Sequence, residues 1–261
     1  MKLALKILFA FVIGLCGFLA FAGYFDRDVL IDVPATTWST PARSKVVAVY
    51  FSGDVGYKVG MGRMIGSRLA ADGIPVVAIN SLGFFRAHRT VAEVTALTAN
   101  AIRQALALGH ADHVILIGHS FGADAMQAAL VRLPQSLRAS VRAVILIVPT
   151  DILYLQVSPG EMLSWSTPDA EVLPTLRQLT SVPTTCIYGI AEAGSPCPQL
   201  SAPNIRKVAL PGGHALDWNI DRVHAEVAGA IDAAVSCNIT KDSEEAHVTA
   251  RPVSAKRKQA S

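Results

Sequence analysis

A serine stands between two glycines in Gly118-His119-Ser120-Phe121-Gly122, after the apolar run His113–Gly118 and before a segment of helical spacing, Phe121–Leu133. A strand that turns into a helix through G-x-S-x-G exposes a serine hydroxyl. Side chains two before and two after the serine would collide in so tight a turn, and glycine at 118 and 122 removes them. The hydroxyl then stands at a helix N-terminus, where free N–H groups and the helix dipole favour a developing negative charge. A serine nucleophile needs a base. In a strand–turn–helix arrangement of this kind, the acid and the histidine follow the serine in the chain. Of seven histidines, His88, His110 and His113 precede it, His119 lies inside the turn, His224 in a helix and His247 in a polar tail. His214 remains, in Leu210-Pro211-Gly212-Gly213-His214, a loop able to bring an imidazole back to Ser120. Glu192, three residues beyond Gly189, is the first choice for the carboxylate that orients the imidazole, and Asp151 is its rival. Asp217 suits the cap of the last helix.

The oxyanion of an acyl-transfer reaction needs two backbone amides. Phe121 supplies one, and Asp54, in the loop Ser52-Gly53-Asp54-Val55-Gly56-Tyr57, supplies the other. The alternative for that loop is a glycine-rich turn that starts a helix. Asp124, one turn beyond the serine, either pairs with a substrate ammonium or stabilises its own helix as a first-turn carboxylate. Cysteines and histidines at ligand spacing are lacking, which predicts no metal site, and the chemistry calls for no cofactor.

Strands and helices must carry these residues. The runs Lys45–Phe51, Pro75–Asn80, His113–Gly118, Arg142–Val148, Thr184–Tyr188 and Ile205–Leu210 are short, apolar and rich in β-branched residues, with little alternation. Such runs belong to a parallel sheet covered on both faces. Between them, Gly60–Ala70, Thr90–Leu108, Phe121–Leu133, Ala170–Leu179 and Asp217–Val235 have helical spacing. The expectation is an α/β fold, a mostly parallel doubly wound sheet with helices on both faces, and with G-x-S-x-G at its centre an α/β-hydrolase fold. Asp151–Ser181 leaves room for little or no cap. One edge strand is expected at Val29–Val33.

The 261 residues are 51% hydrophobic and 16% charged, which excludes a disordered chain, and a net charge of +3 without a basic stripe gives no nucleic-acid partner. Lys2 and Lys6 precede an uncharged run, Ile7–Phe21, that ends in Ala20-Phe21-Ala22. Residues 1–22 read as a signal peptide or an uncleaved N-terminal anchor, and either one places the rest across the membrane. Residues 23–43 form a lead-in, 44–237 the hydrolase domain and 238–261 a disordered polar tail. Cys186 and Cys197 flank the Glu192 loop, and an oxidising compartment would join them; the alternative is two buried thiols.

Ser52-Gly53-Asp54 with Gly56 and Tyr57, Asn80-Ser81-Leu82 with Phe84-Phe85 and Arg89-Thr90, Ile117–Asp124, Arg132-Leu133-Pro134, Cys186–Gly189 and Pro211–His214 together resemble the VirJ/AcvB bacterial virulence family. The resemblance runs over about residues 45–235. It implies a periplasmic α/β hydrolase with Ser120, Glu192 and His214 as its triad, and Tyr57 and Arg89 become candidate substrate contacts. Some members of that family remove the aminoacyl group from lysyl- or alanyl-phosphatidylglycerol, and some are tied to type IV secretion. The implied partners are a phospholipid substrate at the membrane surface and secretion-system proteins. A general periplasmic carboxylesterase or thioesterase is a second reading. A binding or chaperone module of a secretion apparatus is a third.

Overall fold

A computed structural model describes residues 2–37, 40, 43–158, 160 and 165–249, with side chains described up to Ser236. Lys2–Ala22 (α1) is an apolar helix long enough to cross a membrane, and its apolar window is not buried against the rest of the chain. Leu30–Val33 (β1) is the expected edge strand. Val46–Phe51 (β2), Met61–Ala71 (α2), Val76–Ile79 (β3), Ser81–Phe84 (α3), Val91–Gly109 (α4), His113–His119 (β4), Phe121–Leu130 (α5), Gln135–Ser140 (α6) and Val141–Ile147 (β5) follow. Ile152–Leu153 (β6) and Ala170–Glu171 (β7) pair as a small hairpin, and Leu173–Leu176 (α7), Thr184–Gly189 (β8), Ile205–Leu210 (β9) and Ile220–Thr249 (α8) complete the chain.

Seven strands form one sheet in the order β1-β3-β2-β4-β5-β8-β9, parallel throughout except that β1 runs antiparallel to β3. Alternation along each strand feeds two cores. Val47, Val49 and Phe51 face one side with Leu116 and Leu146, against α4 and α5; Ala48 and Tyr50 face the other with Ile115 and Ile145, against α2 and α8. All are buried, so β2 and β4 carry apolar residues on both faces and read as unbroken runs. Helix α4 starts on a reciprocal cap: Thr90 Oγ1 accepts from Glu93 N–H, and Thr90 N–H donates to Glu93.

Three expectations need correction. Ala170–Leu179 is not one helix: its first residues pair with β6, and Pro174 opens a helix of only four residues. Asp217 does not cap the last helix. Asn219 does, its side chain accepting from the Arg222 N–H and its carbonyl from the Val223 N–H. That helix runs on to Thr249, past the start of the expected disordered tail at 238, and no proline interrupts it before Pro252. Residues 250–261 lie outside the described residues.

Candidate active site

The carboxyl ends of β2, β4, β5, β8 and β9 bring their loops to one edge of the sheet, where ligands bind in open α/β sheets. Ser120 sits between β4 and α5 with φ 53° and ψ −128°, a backbone that an L residue adopts only when its surroundings force it. A Cβ on Gly118 would lie 2.5 Å from the Ala123 Cα, and one on Gly122 2.3 Å from the Ser52 carbonyl oxygen. Any other residue at either place would push the turn open. Ser120 N–H donates to the Ile147 carbonyl at 2.8 Å, which ties the turn to the end of β5.

Ser120 Oγ lies 2.7 Å from His214 Nε2, and His214 Nδ1 meets Glu192 Oε1 in a hydrogen bond. Three loops 22 and 72 residues apart in sequence thus form one relay. Glu192 is held by the turn after β8, where Ala191 N–H donates to the Gly212 carbonyl at 3.0 Å and Ile190 N–H to Leu210 at 2.9 Å. Gly189 is what lets the two loops touch: a Cβ there would lie 2.3 Å from the Gly213 carbonyl oxygen. The rival acid, Asp151, makes no hydrogen bond to His214; its carboxylate lies near Gly194, on the wall of the cleft. Cys186 and Cys197 are joined in a disulfide that closes the Glu192 loop. By loop length alone such a link stabilises the fold by about 3 kcal/mol. Beyond His214 the chain makes one left-handed turn, with Leu216, Asp217 and Trp218 all near φ 50°, pinned by the buried Leu216 side chain.

The loop after β2 lies against the nucleophile: the Cβ direction of Gly53 points at Ser120 Cβ, 3.7 Å away. Among the described residues, neither the Asp54 nor the Phe121 amide has a protein acceptor. The Asp54 side chain turns back on its own loop, accepting from Val55 N–H at 2.9 Å. His119, half-buried with its Nδ1 beside Gly53, has its pKa pushed down to about 4, by loss of water and then by the neighbouring His214, so it stays neutral beside the base.

A cleft of about 330 Å³ opens beside Ser120, lined by Phe121, Thr150, Ile152 and Tyr154 and by the acidic residues Asp54, Asp124, Asp151 and Glu192, of which Asp151 is exposed. A hollow of about 380 Å³ between Leu130, Arg138 and Leu179 has Ser181 but no histidine or carboxylate in its lining to activate it, so chemistry selects the smaller one. Asp124 is buried, and both its oxygens are taken by Thr150: Thr150 N–H donates to Oδ1 at 3.0 Å and Thr150 Oγ1 to Oδ2 at 2.7 Å. Burial drives the Asp124 pKa well up against those two bonds. Its first duty is therefore to fasten the β5 loop to α5. Tyr154, in the apolar stretch that follows Asp151, lines the cleft; Thr150 and Gln156 line it too, and their only signal in the sequence is their place just past a strand end.

Two candidate contacts do not reach the cleft. Tyr57 is buried on the far side of its loop, stacked edge-on against Tyr50 with 6.0 Å between ring centres, and its hydroxyl faces Gly66. Arg89 lies over the Phe84 ring at 4.6 Å, donates to the Phe84 carbonyl at 2.9 Å and pairs with Glu93. It braces the start of α4.

The sequence profile of the bacterial virulence protein (VirJ) family matches residues 45–235. The chain belongs to this family. A search among curated proteins found no match. Solved structures share its fold at low identity. The VirJ-family chain superposes on MenH from S. aureus with a TM-score of 0.55 at 10% identity, covering 78% of this chain and 98% of that one. Proline iminopeptidase from Mycobacterium smegmatis gives 0.56 at 13%, covering 80% and 95%. Ferulic-acid-bound Est1E from Butyrivibrio proteoclasticus gives 0.56 at 14%, covering 79% and 95%. At these identities the likeness establishes the fold, that of the α/β hydrolases, and nothing finer.

Proposed function

We propose that this VirJ-family protein is a serine esterase that hydrolyses the aminoacyl ester of lysyl- or alanyl-phosphatidylglycerol on the periplasmic side of the membrane. The observation that carries the reading is the relay from Ser120 Oγ through His214 to Glu192 at the mouth of a cleft whose wall carries the exposed Asp151. Ser120 Oγ attacks the ester carbonyl carbon while His214 Nε2 takes its proton, and Glu192 holds the imidazolium that forms. The amides of Phe121 and Asp54 receive the oxyanion, each worth about 10²–10³ in rate. The bond to the glycerol oxygen then breaks, His214 returns the proton to that oxygen, and the lipid alcohol leaves. Water, deprotonated by His214, clears the aminoacyl group from Ser120. An α-ammonium next to the ester suits the acid-lined cleft, where the Asp151 carboxylate is exposed. The apolar helix α1, with Lys2 and Lys6 at its start, favours placement of the domain outside the cytoplasm.

The test is release of free amino acid from vesicles containing each lipid, using the full chain in detergent and Ser120→Ala as control. Release that vanishes in the variant supports the reading. Faster turnover of short p-nitrophenyl esters with no release from lipid would move the protein to a general esterase. A secretion phenotype that survives Ser120→Ala would favour a binding role in a secretion apparatus.

A further inference from the structure

The apolar side chains left in the open are not scattered. Outside α1, the large hydrophobic residues exposed among the described ones are Phe25, Val55, Met64, Trp165, Ile190 and Trp218. Each belongs to the edge of the sheet that carries Ser120. Val55 follows β2, Met64 lies in the first turn of α2, Ile190 follows β8 and Trp218 follows His214. Phe25 precedes β1, whose first residue pairs with Ile79 at the end of β3. Trp165 is in the segment between β6 and β7, next to Ser166, whose carbonyl accepts from the hydroxyl of the cleft residue Tyr154. Isolated exposed apolar residues are ordinary, but these six, spread from the β1 end to the β9 end, all lie on the Ser120 side of the sheet, the side a flat apolar surface would meet. Two are tryptophans, 80% and 63% exposed, the residue type that settles at the boundary of water and lipid.

The same edge receives α1. Its last residue, Ala22, is fully buried. Buried Asn80 donates from Nδ2 to the Ala22 and Gly23 carbonyls, 3.2 Å each, and accepts from Tyr57 N–H in the loop that carries Asp54. Arg86 donates to the Tyr24 and Asp26 carbonyls, and Lys58 pairs with Asp26 at 2.7 Å. The chain on both sides of the Ala22–Gly23 bond is thus part of the folded domain. Twenty-one residues of helix span about 31 Å, the thickness of a bilayer's hydrocarbon core.

We infer that α1 is retained as a membrane anchor and that it seats the Ser120 edge of the domain on a phospholipid bilayer, with Trp165 and Trp218 at the lipid boundary. The occupant of the apolar rim is the bilayer that α1 crosses, because the rim and the foot of α1 share one edge. Nothing in this depends on which ester is hydrolysed. Two measurements on the full chain test it. The intact mass of protein extracted from bacterial membranes should be that of a chain still carrying residues 2–22; a chain beginning at Gly23 would overturn the anchor. In phosphatidylglycerol/phosphatidylcholine vesicles, brominated acyl chains should quench the part of the tryptophan emission that disappears in the Trp165→Phe/Trp218→Phe double variant. Unquenched emission from those two residues in a vesicle-bound full chain would overturn the docking. A circular-dichroism spectrum and melting temperature equal to those of the wild type confirm that the variant is folded.

Discussion

Gly189→Ala adds one methyl group and should cost the protein most of the esterase activity proposed for it. The backbone at 189 is ordinary strand, so alanine meets no conformational penalty there. Its Cβ would fall 2.3 Å from the Gly213 carbonyl oxygen and 2.6 Å from that of Gly212. A Cβ tolerates an oxygen at no less than about 3 Å, so the Gly212–Gly213 backbone must retreat by roughly 0.7 Å or more. His214 is the next residue. The retreat stretches the 2.7 Å bond to Ser120 or parts the imidazole from Glu192, whose loop is stitched to Gly212 through Ala191 N–H. A misplacement of about 1 Å at reacting groups lowers a rate by ~10²-fold. Overpacking of this kind costs about 1–3 kcal/mol in stability, which leaves the protein folded at room temperature. The assay is kcat/KM on p-nitrophenyl acetate beside thermal unfolding, with Gly229→Ala as control, because a Cβ there meets nothing within 4 Å. The control should match the parent in rate. A folded Gly189→Ala protein at the parent rate would refute the claim that this loop contact sets the imidazole.

Glu192→Gln should reduce kcat on the same ester by about 10³–10⁴-fold with little change in KM, since an amide can neither fix the tautomer nor balance the imidazolium; steady-state kinetics checks it. Asp124→Ala leaves the Thr150 N–H and hydroxyl without their partner and should cost about 1–3 kcal/mol in a denaturant titration. Asp124→Asn keeps an acceptor for the N–H, and the Thr150 hydroxyl can donate to the Ile152 carbonyl instead, so it should hold or exceed parent stability. Because the native Asp124 pKa is raised, the parent loses stability as pH climbs from the unfolded value near 3.8 through the native one, and Asp124→Asn should lack that slope. His119 has the opposite sign: its native pKa of about 4 lies below 6.5, so stability falls as pH drops between those values, by at most about 3 kcal/mol. His119→Gln should flatten that limb of the stability–pH curve.

The central parallel strands β2, β3, β4 and β5 were legible because they are buried on both faces and read as apolar runs, whereas the edge strand β9 carries exposed Arg206 and Lys207. The meeting of Ser120, His214 and Glu192 was legible because the loops after β4, β8 and β9 open on the same edge of a parallel sheet and follow the order serine, acid, histidine along the chain. Side-chain direction was not legible. Tyr57 and Asp54 share one short loop, yet Asp54 lines the cleft with its side chain folded onto Val55 N–H while Tyr57 goes into the core, onto Tyr50. Arg89 had an aromatic face five residues away and spent its charge there. The Asp124–Thr150 contact joins residues 26 apart and rests on the juxtaposition of β4 and β5, which no local pattern carries. At 170–179 the apolar spacing suited a helix, but hairpin pairing with β6 claimed its first residues.

The central claim is that Ser120 is an activated nucleophile, and a fluorophosphonate probe followed by peptide mass spectrometry tests it most directly. A single adduct on the peptide containing Ser120, absent in Ser120→Ala and strongly slowed in His214→Ala, is the predicted result. A folded full-length protein that takes no adduct, or takes it on another residue, would contradict the account.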